Sequence, residues 1–266
     1  MEIYLPIAEI SVNWAMILAM GAAVGFVSGV FGLGGGFLMT PMLVFYGVPP
    51  AIAVGTEAPV IAAASISGAL SRWRGGGIDP KMGFVMLCGG LVGSLAGVQI
   101  FALLQGLGQI ELVVTAGYVL LLGSIGTLML NESIRTILAA RRGTSPATGK
   151  RSQHNWIHGL PLRVRFRRSK LYISVIPPAL LGLIVGILAA ILGVGGGFLM
   201  IPAMIYLLRM PTNIVVGTSQ FQILFVTVAT TILHAVTNQT VDLTLALLLI
   251  IGGVGGDVVS DNRCFF

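Results

Sequence analysis

Apolar runs at 12–31, 36–47, 51–71, 82–104, 110–130, 171–193, 197–208, 214–236 and 243–259 leave this chain few ways to fold. Most approach the ~20 residues with which a helix crosses a bilayer. In hydrocarbon every backbone N–H and C=O must find an internal partner, so spanning segments are helices or closed barrels. A barrel would show segments of roughly ten residues alternating apolar with polar, and the sequence has none. The reading is an all-α integral membrane protein with about 8–9 membrane segments. Only 9% of its 266 residues are charged, where a soluble domain carries about a quarter. A soluble globular chain is excluded.

Charge is concentrated in one place. Ten of the fifteen basic residues fall between Asn131 and Lys170, against the single acid Glu132. The stretch RRGTSPATGKRSQHN within it is polar and flanked by apolar runs. It reads as a basic cytoplasmic linker, 131–170, that touches anionic headgroups rather than nucleic acid. The segment 1–130 is then a first transmembrane repeat and 171–266 a second. Met1 to Met20 holds Glu2 and Glu9 but no Lys or Arg, unlike the basic start of a signal peptide, so the first run is expected to remain in place. Cys88 and Cys264 are too sparse for a disulfide framework or a metal site. No metal or other cofactor is expected.

The two repeats are written almost in the same words. GLGGGFLMTP at 32–41 returns as GVGGGFLMIP at 193–202, an offset of 161, with only Leu33/Val194 and Thr40/Ile201 differing. Gly21, Gly25 and Gly29 align with Gly182, Gly186 and Ala190 at that offset. After one inserted residue Val54-Gly55-Thr56-Glu57 aligns with Val216-Gly217-Thr218-Ser219, and Asp79 and Gly89-Gly90 match Asp242 and Gly252-Gly253. The positive-inside rule chooses between parallel and inverted halves. With 12–31 and 36–47 as separate arms, a cytoplasmic linker places Arg72, Arg74, Lys81 and Arg209 inside. The acidic N-terminus and the uncharged turn Thr237–Thr240 then lie outside. Inverted halves are therefore expected, each with a glycine-broken helix pair, a plan that recurs in secondary transporters.

Three adjacent glycines do not line up on one helix face, so packing alone does not account for them. They suit a deliberate break, after which the first N–H groups of the next short helix point at an anion. Gly34, Gly35 and Gly36 in the first copy, and Gly195, Gly196 and Gly197 in the second, are the substrate-binding candidates. The four-residue spacing of Gly21, Gly25, Gly29, Gly182, Gly186, Gly89, Gly93 and Gly97 reads instead as close helix packing. Glu57 sits inside AIAVGTEAPVIAAAS, where an ionisable group costs about 2.5–3.5 kcal/mol to insert. Burial disfavours its charged form, which suits a proton carrier. The plain alternative puts it near the outer end of its helix, after Pro49-Pro50, in contact with water. Its counterpart Ser219 is followed by Gln220 and Gln222, and with Thr56 and Thr218 these complete the candidate ligand set. His234 and Asn238 read as interfacial polar residues.

These motifs resemble the TauE/SafE-type sulfite exporter family, also called the toluene sulfonate uptake permease family. The likeness rests on G-[LV]-G-G-G-F-L-M-x-P written twice, the [AV]-V-G-T elements after each copy, Pro49-Pro50 and the basic central loop, and it spans roughly Asn13 to Gly256. It implies transport of small sulfur-containing anions, sulfite or organosulfonates such as sulfoacetate, across the bacterial inner membrane and coupled to protons. It also implies a helix beyond Gly252-Gly253, the mate of 110–130, where this chain reads GGVGGDVVSDNRCFF. The second repeat is thus expected to lack its last helix. The alternatives are a membrane subunit without transport of its own, using the basic loop as a partner surface, and an intramembrane hydrolase using His234, for which no oriented Ser-His-acid set is evident.

Overall fold

The computed structural model describes residues 2–31, 36–74, 76–141, 163–166, 171–208 and 210–263. The first half opens with an antiparallel hairpin, β1 (Glu2–Leu5) and β2 (Ile10–Asn13), followed by α1 (Trp14–Phe31), α2 (Gly36–Phe45), α3 (Pro50–Arg74), α4 (Pro80–Gly106) and α5 (Ile110–Arg141). The second repeats the order with β3 (Arg163–Phe166), β4 (Leu171–Ser174), α6 (Ile176–Leu192), α7 (Gly197–Tyr206), α8 (Thr212–Leu233) and α9 (Leu243–Arg263). A π-helical turn, His234–Asn238, extends α8. Every strand boundary returns at the same offset of 161, from 2 and 13 to 163 and 174, so the duplication includes a hairpin that the apolar pattern did not reveal. Among the described residues α5 has no counterpart. It also runs past the expected boundary at 130, so the start of the linker is helical.

Among the described residues, four stretches are long and apolar enough to cross a membrane: Pro50–Leu70, Pro80–Gly106, Ile110–Thr127 and Ile214–Asn238. The shorter α2 and α7 have ten residues each, about 15 Å of helix at 1.5 Å per residue. That is roughly half of the ~30 Å hydrocarbon core, too short for either helix to cross it alone. On α5, Ile110, Val114, Tyr118 and Leu121 form one buried stripe at helical spacing, while Leu112, Val119 and Leu120 on the other side are exposed apolar residues suited to lipid.

The halves interlock. α1 packs along α9, and its counterpart α6 packs along α4. Of the glycines read as packing features, Gly21, Gly25, Gly89, Gly93, Gly97, Gly182 and Gly186 lie at these crossings. An added Cβ at Gly25 would stand 2.7 Å from the Gly253 Cα, and one at Gly186 would stand 3.0 Å from the Gly90 Cα. Two apolar clusters correspond under the same swap. Met39, Leu43, Leu245 and Leu249 in one match Met200, Met204, Met82 and Met86 in the other. At the centre α3 packs against its own counterpart α8. Gly68 near the end of α3 lies against the Gln220 amide, and Trp73 meets Phe221, in the first half of α8, at 5.8 Å between ring centroids. Thr56, near the start of α3, meets the segment beyond α8. The two helices therefore run antiparallel.

Two reciprocal clasps close this arrangement. The Thr56 hydroxyl accepts the Asp242 N–H at 3.0 Å and donates to the Thr240 carbonyl at 3.4 Å. In the other direction the Thr218 hydroxyl accepts the Asp79 N–H at 3.1 Å. Each aspartate caps the helix that follows it. Asp79 accepts from Met82 N–H, and Asp242 accepts from Thr244, Leu245 and Ile7 N–H groups. Thr218→Val is expected to cost ~1–3 kcal/mol, because it removes an acceptor from a buried backbone N–H. Thermal unfolding in detergent reads this, and an unchanged melting temperature would show that the clasp does not hold the halves together.

Candidate functional site

The second glycine break is described throughout. α6 ends at Leu192, and Gly193, Gly195 and Gly196 have φ of 71°, 72° and 78°. Only glycine adopts such left-handed angles without strain, so three of them in four residues turn the chain sharply at no steric cost. α7 then starts at Gly197 with no side chain capping it. Helix geometry leaves its first N–H groups without intrahelical acceptors, and residues 192–197 are all buried. In the first copy Gly34 and Gly35 lie outside the described residues. Gly36 is buried at the start of α2, where an added Cβ would stand 2.9 Å from the Val194 carbonyl carbon. The start of α2 therefore touches the second break.

Their first aromatic residues meet face to face. Phe37 and Phe198, equivalent in the duplication, stack at 4.3 Å between centroids and 7° between planes. Ile61 of α3 closes the same region, its side chain standing where a Cβ on Gly36 or Gly195 would go. Phe37, Phe198 and Ile61 thus set apolar side chains where α2 and α7 start.

Beside them lies a polar line that only the first half supplies. Glu57 is 1% exposed, which excludes a carboxylate at the helix end touching water. Its Oε2 accepts from the Thr40 hydroxyl of α2, and its Oε1 is buried without a partner. The Thr40 hydroxyl also stands 3.2 Å from where a Cβ on Gly193 would go, and the Tyr118 hydroxyl of α5 donates to the Leu192 carbonyl beside it at 2.7 Å. Sequence reasoning passed over Thr40 and Tyr118. The signal for Thr40 was present, since it is one of two positions at which the ten-residue copies differ, polar against apolar as Glu57 is ionisable against Ser219.

The remaining candidates are dispersed. Thr56 and Thr218, expected to face a ligand, have hydroxyls engaged by backbone of the opposite half. Ser219 donates to the Val216 carbonyl of its own helix. The Gln220 amide lies on Gly68 of α3 and the Gln222 amide on Gly90 of α4, each with a buried Oε1 lacking a partner. His234 is fully buried rather than interfacial, its Nε2 donating to the Ala190 carbonyl at 3.0 Å and its Nδ1 accepting from Asn238 at 2.9 Å.

A family model described as Sulfite exporter TauE/SafE matches residues 17–259. A probable membrane transporter protein of Xylella fastidiosa (strain 9a5c) is 30% identical over 241 residues, covering 90% of this chain and 80% of the relative. The probable membrane transporter proteins YjnA and YunE of Bacillus subtilis (strain 168) are 28% and 26% identical, covering 92% and 90% of this chain and 88% and 84% of their own lengths. No solved structure matches the chain.

Proposed function

This chain belongs to the sulfite exporter TauE/SafE family, and on that premise we propose that it is a proton-coupled secondary transporter of small sulfur-containing anions, sulfite or organosulfonates. The observation that carries the reading is the left-handed break at Gly193–Gly196, which presents the uncapped start of α7 in the buried interior. Sulfite and sulfonate oxygens are acceptors, and the N–H groups at a helix start are donors backed by the positive end of the helix dipole. Among the described buried residues there is no Lys or Arg. A site built from backbone dipoles binds an anion without holding it by a full opposite charge, which favours release. The apolar groups at the starts of α2 and α7 fit an occluded conformation, from which the Phe37–Phe198 stack must part to admit a ligand.

The antiparallel run of α3 against α8 supports inverted halves, because parallel repeats would set equivalent helices parallel. The sequences of the two equivalent hairpins support the orientation. The first carries Glu2 and Glu9, and the second carries Arg163, Arg165, Arg167, Arg168 and Lys170. Opposite charge on opposite faces, with the basic linker cytoplasmic and on anionic headgroups and the N-terminus outside, follows the positive-inside rule in the bacterial inner membrane. A carrier suits the site better than a hydrolase, since both nitrogens of His234 are taken up by Ala190 and Asn238.

Labelled sulfite flux into proteoliposomes under an imposed pH gradient tests the proposal. Gradient-dependent accumulation is expected. An absence of flux for both sulfite and sulfoacetate, with the gradient in either direction, would defeat it. Glu57→Gln is expected to retain a basal flux that no longer responds to pH, and a wild-type pH profile in this variant would remove Glu57 from the coupling step.

A further inference from the structure

The apolar side chains at the starts of α2 and α7 are the part of the site that the duplication keeps in both copies. Phe37 has Phe198 as its counterpart, and in the segment that aligns Glu57 with Ser219, Ile61 aligns with Ile223. Both isoleucines are 2% exposed. The polar neighbours differ instead, with Thr40 opposite Ile201 and Glu57 opposite Ser219. A Cβ on Gly195 would stand 2.7 Å from both Cδ1 and Cγ2 of Ile61, and a Cβ on Gly36 would meet the same Cδ1. One side chain of α3 therefore rests on glycine backbone from each half.

We propose that Ile61 sets the size of the substituent that a bound sulfonate can carry. The inference rests on the anion site proposed at the start of α7, and on neither the coupling ion nor the direction of transport. The Met200 N–H donates to the Gly196 carbonyl at 2.8 Å, so the donors that helix geometry leaves without an intrahelical acceptor are those of Gly197, Phe198 and Leu199. A sulfonate turns its three oxygens toward such donors. Its sulfur is tetrahedral, so the remaining substituent leaves on the opposite side. There it meets what stands at the helix starts, the Phe37–Phe198 stack and Ile61. Parting the two rings opens a way in. Ile61 belongs to a third helix and is stiff at χ1, so the room beside Gly36 and Gly195 stays limited by its volume.

A side chain that only fills space behaves differently. Its truncation lowers stability and leaves the preference among anions alone. Ile17 of α1 supplies that comparison, as a fully buried isoleucine in the cluster of Leu43 and Leu245.

Isothermal titration calorimetry of the full chain in lipid nanodiscs, with methanesulfonate and benzenesulfonate, tests this without any transport. The two probes share one head group and one charge and differ only in the substituent. Wild-type protein is expected to bind methanesulfonate, and benzenesulfonate more weakly. Ile61→Ala should lower the Kd of benzenesulfonate relative to that of methanesulfonate by about tenfold or more, the lower end of what one methylene decides in an apolar pocket. Ile61→Val, which removes a single methyl group and keeps the branched shape, should shift the ratio the same way by less. Ile17→Ala should leave it unchanged. An unchanged ratio in both Ile61 variants, an equal shift in Ile17→Ala, or no binding of either probe to wild-type protein would overturn the inference. A chain that shows the shift in binding but carries neither sulfonate nor sulfite into proteoliposomes would instead defeat the transport proposal and leave the size limit standing.

Discussion

Gly196→Val is expected to reduce sulfite flux to background while leaving folded protein that can still be purified. Gly196 holds φ at 78° as the residue capping α7. An L-residue there costs roughly 1–2 kcal/mol, and a β-branched one is a still poorer fit. The added Cβ also meets the Val185 side chain of α6, which adds the ~1–3 kcal/mol typical of overpacking. The local way to relieve both is for Gly196 to leave the left-handed region, which re-aims the first N–H groups of α7 and dismantles the proposed anion site. Gly47 supplies the control. It is also left-handed, at φ 99°, but an added Cβ there meets nothing within 4 Å, so Gly47→Ala should cost strain alone and leave most of the flux. Flux per reconstituted molecule distinguishes the two. Wild-type flux in Gly196→Val would reduce the break to a linker.

The glycine break was legible because adjacent glycines in hydrocarbon have few other uses. Its copy at Gly193–Gly196 bears this out in three left-handed residues. The clasps were half legible. The matches of Val54-Gly55-Thr56 with Val216-Gly217-Thr218, and of Asp79 with Asp242, stand in the sequence. That each threonine reaches the other half's aspartate is a property of the interlock, which no alignment of one half on the other contains. The hairpins escaped notice for a different reason. Residues 10–13 read ISVN and 171–174 read LYIS, with no identity at the shared offset, and four-residue strands leave too little periodicity to stand out from the apolar run behind them. The end of α5 was not legible because hydropathy falls after Leu130 while helical spacing continues through Ile134, Ile137 and Leu138. An apolar threshold marks where a helix could leave hydrocarbon and says little about where it stops being a helix.

Gly186→Leu is expected to prevent the folded protein from accumulating at all. At the α4–α6 crossing an added Cβ on Gly186 would stand 3.0 Å from the Gly90 Cα and closer still to the Gly90 carbonyl oxygen. The obstacle is backbone, so no rotamer change relieves it, and α4 and α6 must separate along their contact. Gly182 against Met86 and Gly93 against Leu183 lie in the same seam, so separation also loses close packing above and below. In lipid that packing is a main source of helix association, since hydrocarbon supplies no hydrophobic drive between helices. The cost should therefore exceed the ~1–3 kcal/mol of an ordinary overpacked core, against a total stability of about 5–15 kcal/mol. The interlock makes the loss global, because α4 and α6 belong to different halves and their crossing is one of the long contacts that join them. Yield after detergent extraction and size-exclusion profile give the readout. The equivalent Gly25→Leu, at the α1–α9 crossing, should fail in the same way. A monodisperse Gly186→Leu protein with wild-type yield would mean that the halves hold together without this seam.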